Sequence, residues 1–265
     1  MYDFDYYRAE SIEQARELLA ANSEARLLAG GMTLLPAMKM RLAAPPAIVD
    51  IGHLQDLKGV CVDGDAVVIG ALTTHAEVAD SEVLRTVFPA LADVAAHIGD
   101  AQVRNCGTLG GSLANNDPSA DYPAAVLALN AVIRTSHRDI AADEFFTGMF
   151  ETVLAADEII LSVRFPLPLF AAYVKFPNPA SRYAIVGVMV AKHSSGVRVA
   201  VTGAGACVFR ARDIEALLDQ RFDENALQDF AFAADDLNDD MHASAEYRAH
   251  LVVVMARRAT AAARC

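Results

Sequence analysis

Residues 98–121, IGDAQVRNCGTLGGSLANNDPSAD (Ile98 to Asp121), set two adjacent glycines between hydroxyl residues, then two asparagines, then an aspartate-proline pair. No helical or strand period runs through the stretch, although periodic apolar sequence flanks it on both sides. It therefore reads as one long loop, and loops of that length inside a compact domain are functional or disordered. The apolar side chains threaded through it (Ile98, Val103, Leu109 and Leu113) argue against disorder. Its many backbone donors need acceptors, which suggests a phosphate-bearing ligand.

A second stretch repeats the chemistry. In Ala29 to Pro36, AGGMTLLP, a short buried strand (Arg26 to Ala29) runs into two glycines, and a helix over Thr33 to Leu42 leaves. Pro36 fits that helix only in its first turn. Glycines let the backbone approach a ligand closely, and the free N–H groups of a first helical turn face it, with Thr33 offering a hydroxyl. Thr108-Leu109-Gly110-Gly111-Ser112 has the same make-up, and Asn115, Asn116 and Asp121 add amide and carboxylate groups suited to a sugar. Either loop alone is better explained by glycines that serve sterics. Two together point to a diphosphate. Neither is GxGxxG, and Gly203-Ala204-Gly205 is incomplete and reads as a strand turn.

The chain has 265 residues, 54% of them hydrophobic, enough for a large core or several packed subdomains. A net charge of −12 disfavours nucleic acid and anionic membrane surfaces, both of which select basic faces. No run approaches the roughly 18 apolar residues of a membrane span. The start, MYDFDYYRAE, lacks the features of a signal peptide, so a cytoplasmic location is expected. Cys61, Cys106, Cys207 and Cys265 form no CxxC, and the histidines form no HxxxH; neither a metal nor an iron–sulfur cluster is expected on this chain, and the thiols are expected free.

Helices are expected at Ser11 to Ala21, Thr74 to Ala79, Phe88 to His97, Tyr122 to Leu129, Ile214 to Gln220, Glu224 to Asp235 and Ala245 to Ala263. Strands are expected in a hairpin over Val60 to Ala71, at Ala47 to Asp50, Val132 to Thr135 and Asp157 to Phe165, and at Phe170 to Phe176. A three-stranded antiparallel sheet follows from Ile185 to Lys192, Val197 to Thr202 and Ala206 to Phe209. Elements are mixed rather than strictly alternating, which makes the class α+β, with a domain seam near residues 166–180.

AGGMTLLPAMKMRL together with RNCGTLGGSLANNDPSADYPAAVLAL closely resembles the FAD-binding medium subunit of the molybdenum hydroxylases, the family of xanthine, carbon monoxide, quinoline and nicotinate dehydrogenases. The resemblance extends over the whole chain. It implies a two-subdomain, PCMH-type FAD-binding domain over 1–175 (subdomains about 1–55 and 56–175), then a C-terminal domain over 176–265. It implies FAD in this chain and an oxidoreductase role. Partners would be a small subunit with [2Fe-2S] clusters and a large molybdopterin subunit, in a heterohexamer.

By position, the resemblance puts Ala29, Gly30, Gly31, Met32, Thr33 and Leu34, and Thr108, Leu109, Gly110, Gly111 and Ser112, around the FAD pyrophosphate. Asn115 and Asp121 fall at its sugars. Ile160, Lys175 and Tyr183 fall near the flavin ring. Met32 departs from the polar residue common after the Gly-Gly, which removes a side-chain contact while leaving the backbone ones. No catalytic acid–base residue is implied, because the cofactor carries the chemistry. The alternatives are a self-sufficient FAD-dependent oxidase or reductase, and a non-enzymatic α+β scaffold or ligand sensor.

Overall fold

The chain begins with a small parallel sheet. Its middle strand, Ala47–Asp50, is apolar and buried, and lies between Asp5–Arg8 and Arg26–Leu28. Asp5–Arg8 is exposed along its whole length, so it carries no hydrophobic pattern and gave no sign of a strand. Parallel strands need crossovers, and the helix Ile12–Ala21 supplies one. Ser11 caps it by accepting the Gln14 N–H at 3.1 Å. In this computed structural model residues 1–264 are described, so Cys265 lies outside them.

The second sheet is antiparallel with five strands, in the order Val60–Asp63, Ala66–Gly70, Ile160–Pro166, Val132–Thr135, Asp139–Ala141. The Val60 to Ala71 hairpin is present, and Ile160–Pro166 occupies the centre. Val163 and Phe165, alternate residues of that strand, are both fully buried in the middle core. Helices cover this face: His75–Asp80, Glu82–Val87, Pro89–Ala96 and Tyr122–Ala128, the last buried at every position.

Residues 98–121 are not one loop. They hold two short helices, Ala101–Cys106 and Leu109–Asn115. Asp100 caps the first by accepting the Val103 N–H at 2.8 Å, and Thr108 caps the second by accepting the Gly111 N–H at 3.2 Å. Helices this short never complete the apolar period that identifies longer ones, and two mid-helix glycines lower the propensity further. Packing explains one of them: a Cβ on Gly110 would lie 2.7 Å from the Ala71 side chain.

The C-terminal sheet has four strands rather than three, in the order Phe170–Pro177, Ala184–His193, Gly196–Thr202, Phe209–Arg210. The additional strand, Phe170–Pro177, pairs along its whole length with Ala184–His193. Two-residue periodicity then sends Tyr173, Met189 and Ala191 into the middle core, and Val186, Val188 and Val190 into a separate C-terminal core. The second core is closed by the helices Arg212–Gln220 and Ala245–Ala263. Both faces of Ala184–His193 are thus covered, which is why it reads as a continuous apolar run. The helix expected at Glu224 to Asp235 is only a 3-10 turn, Glu224–Leu227. Beyond it Phe230 and Phe232 pack against the C-terminal core from extended chain.

Glu158 ties the approach to the central strand. Its carboxylate accepts from Thr135 Oγ1 at 2.7 Å, the Ala155 N–H at 3.0 Å and Arg138 Nε at 3.1 Å. Burial pushes its pKa up, but the Arg138 guanidinium and these hydrogen bonds outweigh burial and bring it from 4.5 to about 2. A depressed carboxylate contributes stability that is complete above the unfolded value and lost as pH falls through the folded one. The contribution should therefore disappear between about pH 4.5 and 2. Arg138 is 49% exposed, and screening through it reduces the stabilisation to about 1–2 kcal/mol. Thermal melts should show Glu158→Gln less stable at neutral pH, with the difference from the native chain narrowing below about pH 4.5 and gone near pH 2. A difference independent of pH would contradict this account.

Candidate functional site

A cavity of about 850 Å3 opens where the three sheets meet. Ala29, Gly30, Gly31, Met32, Thr33, Leu34, Thr108, Gly110, Gly111, Ser112, Asn115, Asp121, Ile160 and Tyr183 all line it. Three residues singled out from the sequence, Leu109, Lys175 and Asn116, do not. Leu109 is fully buried in the middle core and anchors its helix from behind. Lys175 stands one layer back, its Nζ donating to Asp121 Oδ2 at 3.0 Å and to the His97 carbonyl at 2.7 Å.

The two glycine loops differ in what they offer. Among the described residues, the N–H groups of Gly30, Gly31, Met32, Thr33 and Leu34 have no acceptor in the protein. In the second loop the Leu109 N–H donates to Thr73 O, Gly110 N–H to Ala71 O, Gly111 N–H to Thr108 Oγ1 and Ser112 N–H to Thr108 O. The first loop therefore presents a row of free donors. The second presents side chains and space: the Ser112 hydroxyl and Asn115 amide have no hydrogen-bond partner in the protein. Thr33 likewise makes no side-chain cap bond, which leaves its hydroxyl available.

The four glycines also separate by role. A Cβ on Gly30 would fall 1.9 Å from the Cys106 carbonyl oxygen, so this glycine lets the two loops touch. Gly31 has φ +69°, in the region an L side chain disfavours. Gly110 packs on Ala71, whereas a Cβ on Gly111 would meet only the Thr108 hydroxyl, at 2.9 Å. Gly111 is thus the glycine whose missing side chain keeps the cavity itself open. Five consecutive free N–H groups, a glycine-lined wall and uncommitted hydroxyl and amide groups fit a diphosphate with attached sugars, which is the donor set FAD requires.

The cavity's acidic groups are already engaged. Asp121 is buried and accepts from Tyr173 Oη as well as from Lys175. Burial pushes its carboxyl up, against the pull of Lys175 and the Tyr173 hydrogen bond. Gly187 makes this arrangement possible, since a Cβ there would run into the Tyr173 hydroxyl. Asp117 is raised by burial, opposed by the Ser119 N–H. Asn116 is turned away from the cavity: its Nδ2 donates to Gly148 O and Glu151 O at 2.8 and 2.7 Å, so it is not the sugar ligand its neighbour can be.

Several wall residues had little or no signal in the sequence. His75, 4% exposed, follows the Thr74–Glu77 capping box and packs on Tyr122 at 5.3 Å between ring centroids. Burial, then the nearby Arg104 charge, lower its pKa from 6.5 to about 4, so it is a neutral wall. Arg26 and Arg182 supply the cationic side chains of the lining, and Phe150 enters from a hairpin between Phe146–Gly148 and Glu151–Thr152. Only the Thr74–Glu77 spacing was legible as a local motif.

Comparison with known proteins agrees with this geometry. Residues 2–168 match the family described as the FAD binding domain in molybdopterin dehydrogenase, and residues 171–263 match the CO dehydrogenase flavoprotein C-terminal domain. The nicotine 6-hydroxylase medium subunit of Paenarthrobacter nicotinovorans is 37% identical over 96% of this chain and 94% of its own length. The carbon monoxide dehydrogenase medium chain of Hydrogenophaga pseudoflava is 35% identical over 98% and 96%. A solved structure of the Hydrogenophaga pseudoflava carbon monoxide dehydrogenase, lacking the Mo-pyranopterin moiety, superposes with a TM-score of 0.93 at 34% identity, covering 99% of this chain and 98% of that one. No helix among the described residues is long and apolar enough to cross a membrane. The paired glycine loops, the shared architecture and these matches along the whole chain make it a member of the FAD-binding flavoprotein subunits of the molybdopterin dehydrogenases.

Proposed function

We propose that this chain is the electron-transfer subunit of a multi-subunit molybdenum hydroxylase. A small [2Fe-2S] subunit would deliver electrons from a large molybdopterin subunit, and this chain would pass them to an external acceptor. The observation that carries the reading is the row of N–H groups without a protein acceptor from Gly30 to Leu34, residues that line a cavity kept open at Gly111. Bound FAD would supply the redox chemistry. The protein binds and orients it. Gly30 to Leu34 hold the pyrophosphate by backbone donors, with Thr33 and Ser112 adding hydroxyls and Asn115 reaching the sugars. Ile160 and Tyr183 border the ring. Asp121 fixes the wall through Tyr173, and Lys175 acts through Asp121 rather than by direct contact.

Two observations favour this over a self-sufficient oxidase. Three titratable groups of the wall are committed: Glu158 to Arg138, Asp121 to Lys175, and His75 held neutral. None is a free proton donor matched to neutral pH. Relatives similar over nearly the whole chain are also named for unlike substrates, nicotine, carbon monoxide and glyceraldehyde. A subunit shared across such chemistry does not choose the substrate. The complex would be a heterohexamer in the cytoplasm, a location with which free thiols at Cys61, Cys106 and Cys207 are compatible.

The purified chain should be yellow and release FAD on denaturation, and the native complex should bring down a small and a large partner; substrate oxidation by this chain alone would overturn the assignment. Gly111→Asp is a sharper test. Its side chain enters the cavity without displacing backbone, whereas Gly30→Ala collides with the Cys106 carbonyl. Gly111→Asp should keep its thermal melt while FAD affinity falls at least roughly a hundredfold, since a carboxylate beside a phosphate costs about 3 kcal/mol or more. Gly30→Ala should instead lower the melting temperature even without FAD.

A further inference from the structure

Five non-glycine residues among those described have φ in the left-handed region: Arg41, Asn116, Asn130, Phe150 and Arg182. Asparagine tolerates that conformation; a phenylalanine does not, and persists there only when its surroundings hold it. Phe150 has φ +57°. It sits at the tip of the hairpin between Phe146–Gly148 and Glu151–Thr152, 56% exposed. What holds it is Asn116, itself at φ +42° and 1% exposed. The Phe150 N–H donates to the Asn116 carbonyl at 3.1 Å, and Asn116 Nδ2 donates to the carbonyls on either side of the tip, Gly148 at 2.8 Å and Glu151 at 2.7 Å.

These bonds clip the hairpin tip to the end of Leu109–Asn115, the helix that carries Gly110 and Gly111. They also select which side chain faces inward. Phe150 lines the cavity; the adjacent Met149, comparably exposed at 51%, does not. The rest of the apolar wall is aliphatic, and among the described residues its only phenylalanine or tyrosine rings are Phe150 and Tyr183. A strained backbone, a clip of three hydrogen bonds and an aromatic face left half in solvent make little sense for folding alone. They make sense if a flat partner completes the burial.

We propose that Phe150 covers a planar ring of the bound dinucleotide and shields it from water, and that Asn116 is the positioning residue that holds it there. The inference rests on the FAD-binding reading above. Stacking of an aromatic side chain on a heteroaromatic ring is removed by truncation at a cost of roughly tenfold or more in affinity.

Phe150→Gly separates this role from a structural one, because glycine relieves the backbone strain while deleting the ring. The full-length apoprotein carrying it should melt at the native temperature or slightly above. After reloading with FAD, that variant should release the cofactor roughly tenfold faster than the native chain, and Phe150→Tyr should restore slow release. Iodide quenching of flavin fluorescence and ADP affinity then identify the ring: greater quenching in Phe150→Gly marks the flavin, weaker ADP binding marks the adenine. Asn116→Gly keeps the left-handed backbone but removes the amide. It should speed release in the same direction, with no further increase when combined with Phe150→Gly. Unchanged release, quenching and ADP affinity in Phe150→Gly would overturn the proposal, and additive effects would overturn the positioning role of Asn116. A native chain that binds no FAD would instead defeat the reading beneath it.

Discussion

Everything around the cavity depends on how closely Gly30 passes the backbone at Cys106. The space there would not admit even one methyl group. That approach brings the end of the first sheet's Arg26–Leu28 strand against the end of the helix Ala101–Cys106, and so presses one glycine loop onto the other. The Thr74–Thr108 bridge and the His75 N–H bond to the Gly107 carbonyl pin the second loop from the opposite side. With both loops fixed, the N–H groups after Gly30 have nowhere to turn for an acceptor within the protein. Gly30 to Leu34 are half-buried or exposed, so solvent reaches these donors. Phosphate oxygens would replace water there with charge-assisted hydrogen bonds.

The third wall is recruited from the C-terminal sheet by a different device. Tyr173 and Lys175 are alternate residues of Phe170–Pro177 and so project from the same face. Both reach Asp121, at the end of the residue 98–121 segment. A buried carboxylate this close to a buried ammonium contributes little net stability, because desolvation offsets most of the attraction. What it provides is register: a shift of one residue along that strand would turn both partners to the other face. The C-terminal portion is thereby held in one relation to the cofactor loops, with the Tyr183 turn at the cavity edge.

The sequence disclosed the features that have local causes. The Val60 to Ala71 hairpin, the long final helix and the Ser11 cap follow from spacing that spans whole elements, and the two glycine loops stood out by composition. What it concealed arises from long-range contact or from short length. Asp5–Arg8 is a strand only because Ala47–Asp50 lies beside it. The helices at Ala101–Cys106 and Leu109–Asn115 are six and seven residues long, too short for a period to emerge. Their capping residues, Asp100 and Thr108, were the legible trace. At the site, proximity to the cavity was readable for most residues, but which loop has spare donors was not. That depends on Ala71 and Thr73 capturing the second loop's amides, contacts set by tertiary packing.

This asymmetry between the loops also explains why an acidic protein can hold an anionic cofactor. A net charge of −12 would oppose a diphosphate if recognition relied on long-range attraction. Here, among the described residues, two of the four acids lining the cavity are matched by a cation, Glu158 by Arg138 and Asp121 by Lys175, while Asp100 and Asp117 accept backbone N–H groups, so part of the acidic field is cancelled at short range. The attraction then comes from fixed N–H dipoles, whose effect decays within a few ångströms and is indifferent to distant charge. Such dipoles need no proton to function and no side chain to reorganise. The pocket can therefore grip its ligand through backbone donors, whose hold does not depend on the protonation of any side chain.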